Sequence, residues 1–318
     1  MLKYILFVIL GFYLLIKGAD FLVDGASNIA KKFHIPSLII GLTIVAIGTS
    51  MPELMVSLEA VLHNCNDITI GNVVGSNIAN LFLILGVCAI INPLKFSSNT
   101  EKIENLITIF ATASLAFFGN DDLNNIINRF EGILLVIDAF LFIIYNIISA
   151  KKKEDVMLED KTEKNNISIQ KSIFFIVLGI LSLKIGGDAV VKYASRIAII
   201  MGISEKIISI TIVAFATSLP ELLTSCKASL KGETDMAIGN IIGSQIFNIF
   251  LIIGISALAR PIYYSIAFNK DICFLLFGTI CFAIFPFVGK KHYMTRINGI
   301  FFLLLYLMYL LYNIVIAI

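Results

Sequence analysis

Two glutamates stand inside apolar stretches, each behind a proline and a Thr-Ser pair. Glu53 lies in Thr43 to Leu58, TIVAIGTSMPELMVSL, and Glu221 in Thr211 to Cys226, TIVAFATSLPELLTSC; ten of the sixteen positions are identical. A second stretch also recurs, IGNVVGSNIANLFLILG from Ile70 to Gly86 and IGNIIGSQIFNIFLIIG from Ile238 to Gly254, with eleven of seventeen positions identical. Every matched pair is 168 residues apart. A carboxylate near the middle of a spanning helix opposes insertion by roughly 2.5 to 3.5 kcal/mol. A proton, a basic partner or a cation would offset it, and neither motif offers a Lys or Arg at helical spacing.

The residues around the glutamates favour a hard cation or a proton. Pro52 and Pro220 lack an N–H, so the carbonyls of Gly48 and Ala216, four residues earlier, lose their helical donors. Freed carbonyls are tolerated at membrane depth only inside protein or along a water-filled cavity. Thr49 and Ser50 stand four and three residues before Glu53, and Thr217 and Ser218 repeat the pattern before Glu221, which places hydroxyls and carboxylate on one patch. In the partner stretch Ser76 and Asn80 are four apart, as are Ser244 and Asn248. All of these are oxygen ligands, suited to Na⁺ or Ca²⁺ rather than to zinc, copper or iron. Gly71 and Gly75, and again Gly239 and Gly243, let helix backbones approach. Asn72 and Asn240 read as helix-start or packing residues. Any one copy could be structural, with hydroxyls bonded back to their own helix; the same order of residues twice favours the functional reading.

The elements that must position these residues are spanning helices. Apolar residues make up 58% of the chain and charged ones 14%, values of a polytopic membrane protein. Stretches of about 20 apolar residues predict spans at 4–30, 38–62, 69–91, 103–118 and 130–149, then 172–199, 206–230, 236–259, 271–288 and 298–317. The expected fold is all-α, ten transmembrane helices in two five-helix repeats, 1–150 and 172–318, joined by a cytoplasmic linker at 151–171. Five is odd, so the second repeat enters from the opposite side and the repeats are inverted. With the N-terminus outside, the inner loops carry fifteen Lys and Arg and the outer ones seven. The positive-inside rule therefore favours an extracellular N-terminus and a multi-pass protein of the cell membrane. The first apolar run has no small-residue cleavage site after it and is read as mature sequence.

Other features carry less. The linker stretch KKKEDVMLEDKTEKNN has the mixed charge of a solvated segment and no calcium-ligand spacing. Cys65, Cys88, Cys226, Cys273 and Cys281 show no CxxC spacing and read as small core residues. Asp138 has no acidic counterpart in the second repeat and reads as a local hydrogen-bonding group, whereas Asp20 and Asp188 recur at the common offset and read as structural or gating residues. The net charge of +2 gives no nucleic-acid surface. HExxH and GxSxG patterns are absent, so the chain does not read as an enzyme. A channel would use oligomeric symmetry rather than internal duplication. A cation transporter with its site at the repeat interface is the expectation, without a cofactor and working as a monomer in the lipid bilayer.

AIGTSMPE with GNVVGSNIAN, and AFATSLPE with GNIIGSQIFN, resemble the two α-repeats of the sodium/calcium exchanger family, prokaryotic type, over the whole chain. The resemblance implies an antiporter that exchanges Na⁺ for Ca²⁺ by alternating access. It implies Glu53 and Glu221 as shared ligands, with Thr49 and Thr217 completing the calcium site. Flanking sodium sites would use the Ala46 and Ala214 carbonyls with Ser50, Ser218, Ser76 and Ser244, while Asn80 and Asn248 sit at the centre. The first and sixth spans would slide as the gate. Family members that also carry K⁺ have an aspartate where this chain has Asn248, which implies K⁺ independence. A proton/Ca²⁺ antiporter, with both glutamates as proton carriers, stays open as the alternative.

Overall fold

The computed structural model describes residues 2–96, 103–121, 125–157, 168–201, 217–288 and 292–317. The chain runs through α1 (Leu2–Lys32), α2 (Ser37–Thr49), α3 (Met51–Leu62), α4 (Asn66–Ile91) and the two-residue strand β1 (Leu94–Lys95). It continues with α5 (Asn105–Asn120), β2 (Ile126–Ile127), α6 (Arg129–Met157) and α7 (Ile169–Ile200). Then follow α8 (Leu219–Leu230), α9 (Thr234–Ala259), β3 (Ile262–Tyr263), α10 (Ile266–Phe287), β4 (Tyr293–Met294) and α11 (Arg296–Ala317).

Among the described residues seven helices are long and apolar enough to cross a membrane, eight if α2 and α3 form one bent span. Eight of the ten expected spans thus have a counterpart. The expected span at 103–118 is the 16-residue α5, and of 206–230 the description covers α8 and the two residues before it. α6 runs to Met157, so the segment read as a linker begins as helix. Apolar side chains left on the outside, such as Leu141 of α6 and Leu307 of α11, belong to a surface that meets lipid.

α4 and α9 form the centre, with 72% and 83% of their apolar stretches buried against 28% for α1 and 33% for α7. Around them lies the larger apolar core, from Val73, Ile78 and Phe82 to Ile241, Ile246 and Phe250. A smaller core joins α1 and α7 through Leu15, Leu22, Ile176 and Leu183. These two helices run antiparallel: Gly11 lies against Gly186, Gly18 against Gly179 and Gly25 against Ser172. A Cβ on Gly18 would stand 2.9 Å from the Gly179 carbonyl, so only glycine allows this approach.

The four short strands, unforeseen in the sequence, pair antiparallel as β1 with β4 and β2 with β3. Leu94 faces Met294 in one pair and Ile262 faces Ile127 in the other, all four fully buried. Each pair therefore joins the exit of α4 or α9 to the entry of α11 or α6.

Candidate cation site

The glutamates owe their places to two broken helices. Ser50 has φ −84° and ψ 5°, and Ser218 has φ −87° and ψ 3°, at the sparsely populated bridge between helix and extended backbone. Pro52 and Pro220 lie in the first turn of the helices that follow. The absent proline N–H removes one helical bond, and α2 and α3 meet at 45°. The break points Glu53, in the first turn of α3, and Glu221, in the first turn of α8, at the centre of the molecule. Both are 0% exposed.

α4 and α9 supply the facing residues. Each widens into a π-type turn, at Ala79–Ile84 and at Asn248–Ile253, and Asn80 and Asn248 sit at the start of these turns. Such turns are frequent at functional sites. Gly243 brings α9 onto α2: a Cβ there would stand 2.7 Å from the Leu42 carbonyl. Ser76, Asn80, Ser244 and Asn248 are all buried.

Hydrogen bonds tie the two halves together. Ser50 Oγ donates to Glu221 Oε1 at 3.3 Å, and Ser76 Oγ donates to Glu53 Oε1 at 3.4 Å. Ser218 Oγ donates to Ser76 Oγ at 3.2 Å, and Asn248 Nδ2 reaches the same oxygen at 3.3 Å. Ser76 is thus the hub that ties Glu53 to the second half. Helical spacing placed Ser50 on one patch with Glu53; the break at Ser50 instead carries its hydroxyl across to Glu221. Thr49 Oγ1 lies 3.3 Å from the Ala46 carbonyl and 3.1 Å from Asn240 Oδ1, and the Ala46 carbonyl also accepts from Ser50 N–H at 3.0 Å. Thr217 is buried beside Ser218. Ala214, expected in the site, lies outside the described residues, as does Ala216.

What the buried atoms leave undone matters most. Among the described residues, Glu53 Oε2, Glu221 Oε2, Ser244 Oγ, Asn248 Oδ1 and both amide atoms of Asn80 have no hydrogen-bond partner. Leaving such a group unpaired costs about 1–3 kcal/mol, and more for a charge. Neither glutamate makes an ion pair among the described residues. The donor set that remains is rich in acceptor oxygen and carries two carboxylates, the chemistry of a hard cation.

Four residues of the surrounding shell were read too lightly or passed over in the sequence. Asn72 donates to Ser57 Oγ at 2.9 Å and to the Glu53 carbonyl at 3.2 Å; Asn240 donates to Ser225 Oγ at 2.8 Å. They brace the glutamate helices against α4 and α9, which bears out the packing alternative of the sequence reading and not the helix-start one. Asn77 and Gln245, which differ between the repeats, also meet here, with Asn77 Nδ2 donating to the Gln245 carbonyl at 3.2 Å. The signal was available as the common 168-residue offset, which pairs Ser57 with Ser225, Asn72 with Asn240 and Asn77 with Gln245. Of the lesser acids, Asp20 pairs with Lys227 and Lys231 at 3.1 and 3.4 Å, whereas Asp188 makes no ion pair among the described residues.

Broken helices meeting at buried, unpaired carboxylates inside an apolar bundle define a multi-pass membrane transporter, not an enzyme. The sodium/calcium exchanger protein family pattern matches residues 3–150 and 171–315. The putative antiporter CaxA of Alkalimonas amylolytica is 35% identical over 97% of this chain and 98% of its own. The sodium/calcium exchanger MaX1 of Methanosarcina acetivorans is 34% identical over 81% of this chain and 83% of its own. The solved sodium-calcium exchanger NCX_Mj superposes with a TM-score of 0.84 at 30% identity, covering 97% of both chains. The chain belongs to the sodium/calcium exchanger family.

Proposed function

We propose that the protein exchanges Na⁺ for Ca²⁺ across the cell membrane, independently of K⁺, by alternating access. The observation that carries this reading is the set of buried acceptors without partners among the described residues, Glu53 Oε2, Glu221 Oε2, Asn80 Oδ1, Asn248 Oδ1 and Ser244 Oγ. Glu53 and Glu221 are the shared ligands, with Thr49 and Thr217 for Ca²⁺. Ser50, Ser218, Ser76, Ser244 and the Ala46 and Ala214 carbonyls serve Na⁺. Two carboxylates are neutralised by one Ca²⁺ or two Na⁺, and a third Na⁺ makes the cycle electrogenic. An empty, doubly charged site resists passage through an apolar barrier, so only the loaded carrier turns over.

The scaffold in this reading has ten spans in two inverted repeats, 1–150 and 172–318, with the N-terminus outside and the linker in the cytoplasm. α1 and α7 slide over a core built on α4 and α9, and one chain suffices for transport. Asparagine at both position 80 and position 248 supports K⁺ independence.

Radiolabelled Ca²⁺ uptake into proteoliposomes tests the reading. Vesicles loaded with Na⁺ are expected to accumulate Ca²⁺, and those loaded with K⁺ or choline are not. Uptake driven by a pH gradient alone would transfer the protein to the proton-coupled branch, with the unpartnered carboxylate oxygens as proton carriers.

A further inference from the structure

Among the described residues Asn248 bonds only through its nitrogen. Nδ2 donates to Asn77 Oδ1 at 2.9 Å and to Ser76 Oγ at 3.3 Å, while Oδ1 is buried with no partner. The two ends of an amide are nearly the same size, so hydrogen-bond partners decide which end faces a cavity. One end offers a cation an oxygen and the other an NH₂ that repels it.

The direction is set one residue away from the site. Asn77, 0% exposed, gives its Nδ2 to the Gln245 backbone carbonyl at 3.2 Å. A carbonyl only accepts, so Asn77 must turn nitrogen toward it and oxygen toward Asn248. That oxygen, with Ser76 Oγ, holds the Asn248 nitrogen, and Asn248 Oδ1 is left as the end of the amide without a partner among the described residues. Among the described residues the second half lacks this device: the equivalent of Asn77 is Gln245, whose Oε1 is buried without a partner, and Asn80 is unbonded at both amide atoms.

We infer that Asn77 is a positioning residue for cation binding, holding the Asn248 amide with its oxygen toward the ion. The inference rests on Asn248 being a cation ligand of the proposed exchanger. Asn77 touches no ion and acts through Asn248 alone.

The experiment measures Ca²⁺ binding to the purified full-length chain in detergent, with Ca²⁺ flux in proteoliposomes beside it. Outer-shell partners of metal ligands are worth about 10- to 100-fold in affinity, so Asn77→Ala is expected to raise the half-saturating Ca²⁺ concentration about tenfold or more. The maximal flux at saturating Ca²⁺ is expected to fall far less. Asn77→Leu, which fills the space without an acceptor, is expected to show the same loss and guards against a collapsed cavity. The deciding arm uses Asn248→Asp, because a carboxylate presents two like oxygens and needs no orienting. In that background Asn77→Ala is expected to leave affinity unchanged or improved. An equal loss in both backgrounds, or normal binding by Asn77→Leu, would overturn the inference while leaving the proposed function standing. An unsubstituted chain that binds no Ca²⁺ would overturn both.

Discussion

The two halves of the molecule carry almost the same motif, yet their site residues are held differently. Among the described residues Ser76 of the first half has three hydrogen-bond neighbours, Glu53, Ser218 and Asn248; its counterpart Ser244 has none. Asn248 donates to Asn77 and Ser76, whereas Asn80 has no partner among the described residues. The two ends differ as well. Where α1 finishes, Asp20 and Asp24 pair with Lys227 and Lys231, and Glu233 accepts from Ser27 and Ser37 and pairs with Lys31. The residues equivalent to Lys227 and Lys231 are Glu59 and His63, and neither makes an ion pair among the described residues. The motif is duplicated, but among the described residues the hydrogen bonds that hold it are not: Ser76 and Asn248 are tied in place by neighbours, and Ser244 and Asn80 are not.

The largest effect tests what the halves share. Glu53→Gln and Glu221→Gln are each expected to abolish Na⁺-driven Ca²⁺ uptake while the protein still inserts, since each removes one of two charges that a divalent ion needs. Full uptake in either variant would dissolve the symmetry of the pair.

Next comes a contrast between the serines. Ser76→Ala removes the hub and is expected to lower the stability of the ion-free protein by about 1–3 kcal/mol. Ser244→Ala is expected to leave it unchanged and to weaken only ion binding. Thermal unfolding with and without Na⁺ or Ca²⁺ separates the two. Equal destabilisation would mean that the difference between the halves has no energetic weight.

A smaller effect is expected where the second half is made to imitate the first. Gln245→Asn shortens the side chain to that of Asn77 and is expected, by the symmetry of the repeats, to offer Asn80 an orienting acceptor. It is expected to lower the half-saturating cation concentration by less than the about tenfold that full outer-shell support confers. The smallest effect belongs to the ion pairs at the end of α1. Lys231→Ala removes contacts between partly exposed groups worth about 1 kcal/mol or less. Exchange rates are expected to change by no more than about fivefold, with the difference shrinking at high salt.

Much of this was legible in the sequence because membrane spans are written in hydropathy and the site is written twice. The spans on α1, α4, α6, α7, α9, α10 and α11 followed from apolar length alone. Glu53, Glu221, Ser76, Ser244, Asn80 and Asn248 followed from recurrence, and all are buried at the centre. Helical spacing could not say that Ser50 serves the other half's glutamate, because the break at that serine changes its direction and the partner is 171 residues away. The strand pairs were hidden because two residues carry no periodicity. Asn77 was hidden because its importance lies in a contact with Gln245 that only the packing of α4 on α9 creates.

The short strands have a consequence for how the chain is made. β1 is synthesised long before β4, and Gly86 of α4 lies against Gly299 of α11, so the first half completes its contacts only when the last helix emerges. At about 5–20 residues per second, that delay is on the order of 10–40 seconds. Throughout it, α4 with Ser76, Asn77 and Asn80 stands in the membrane without its final neighbours. The period of greatest risk for this protein is therefore its birth, when one half waits with its polar interior uncovered for the other to arrive.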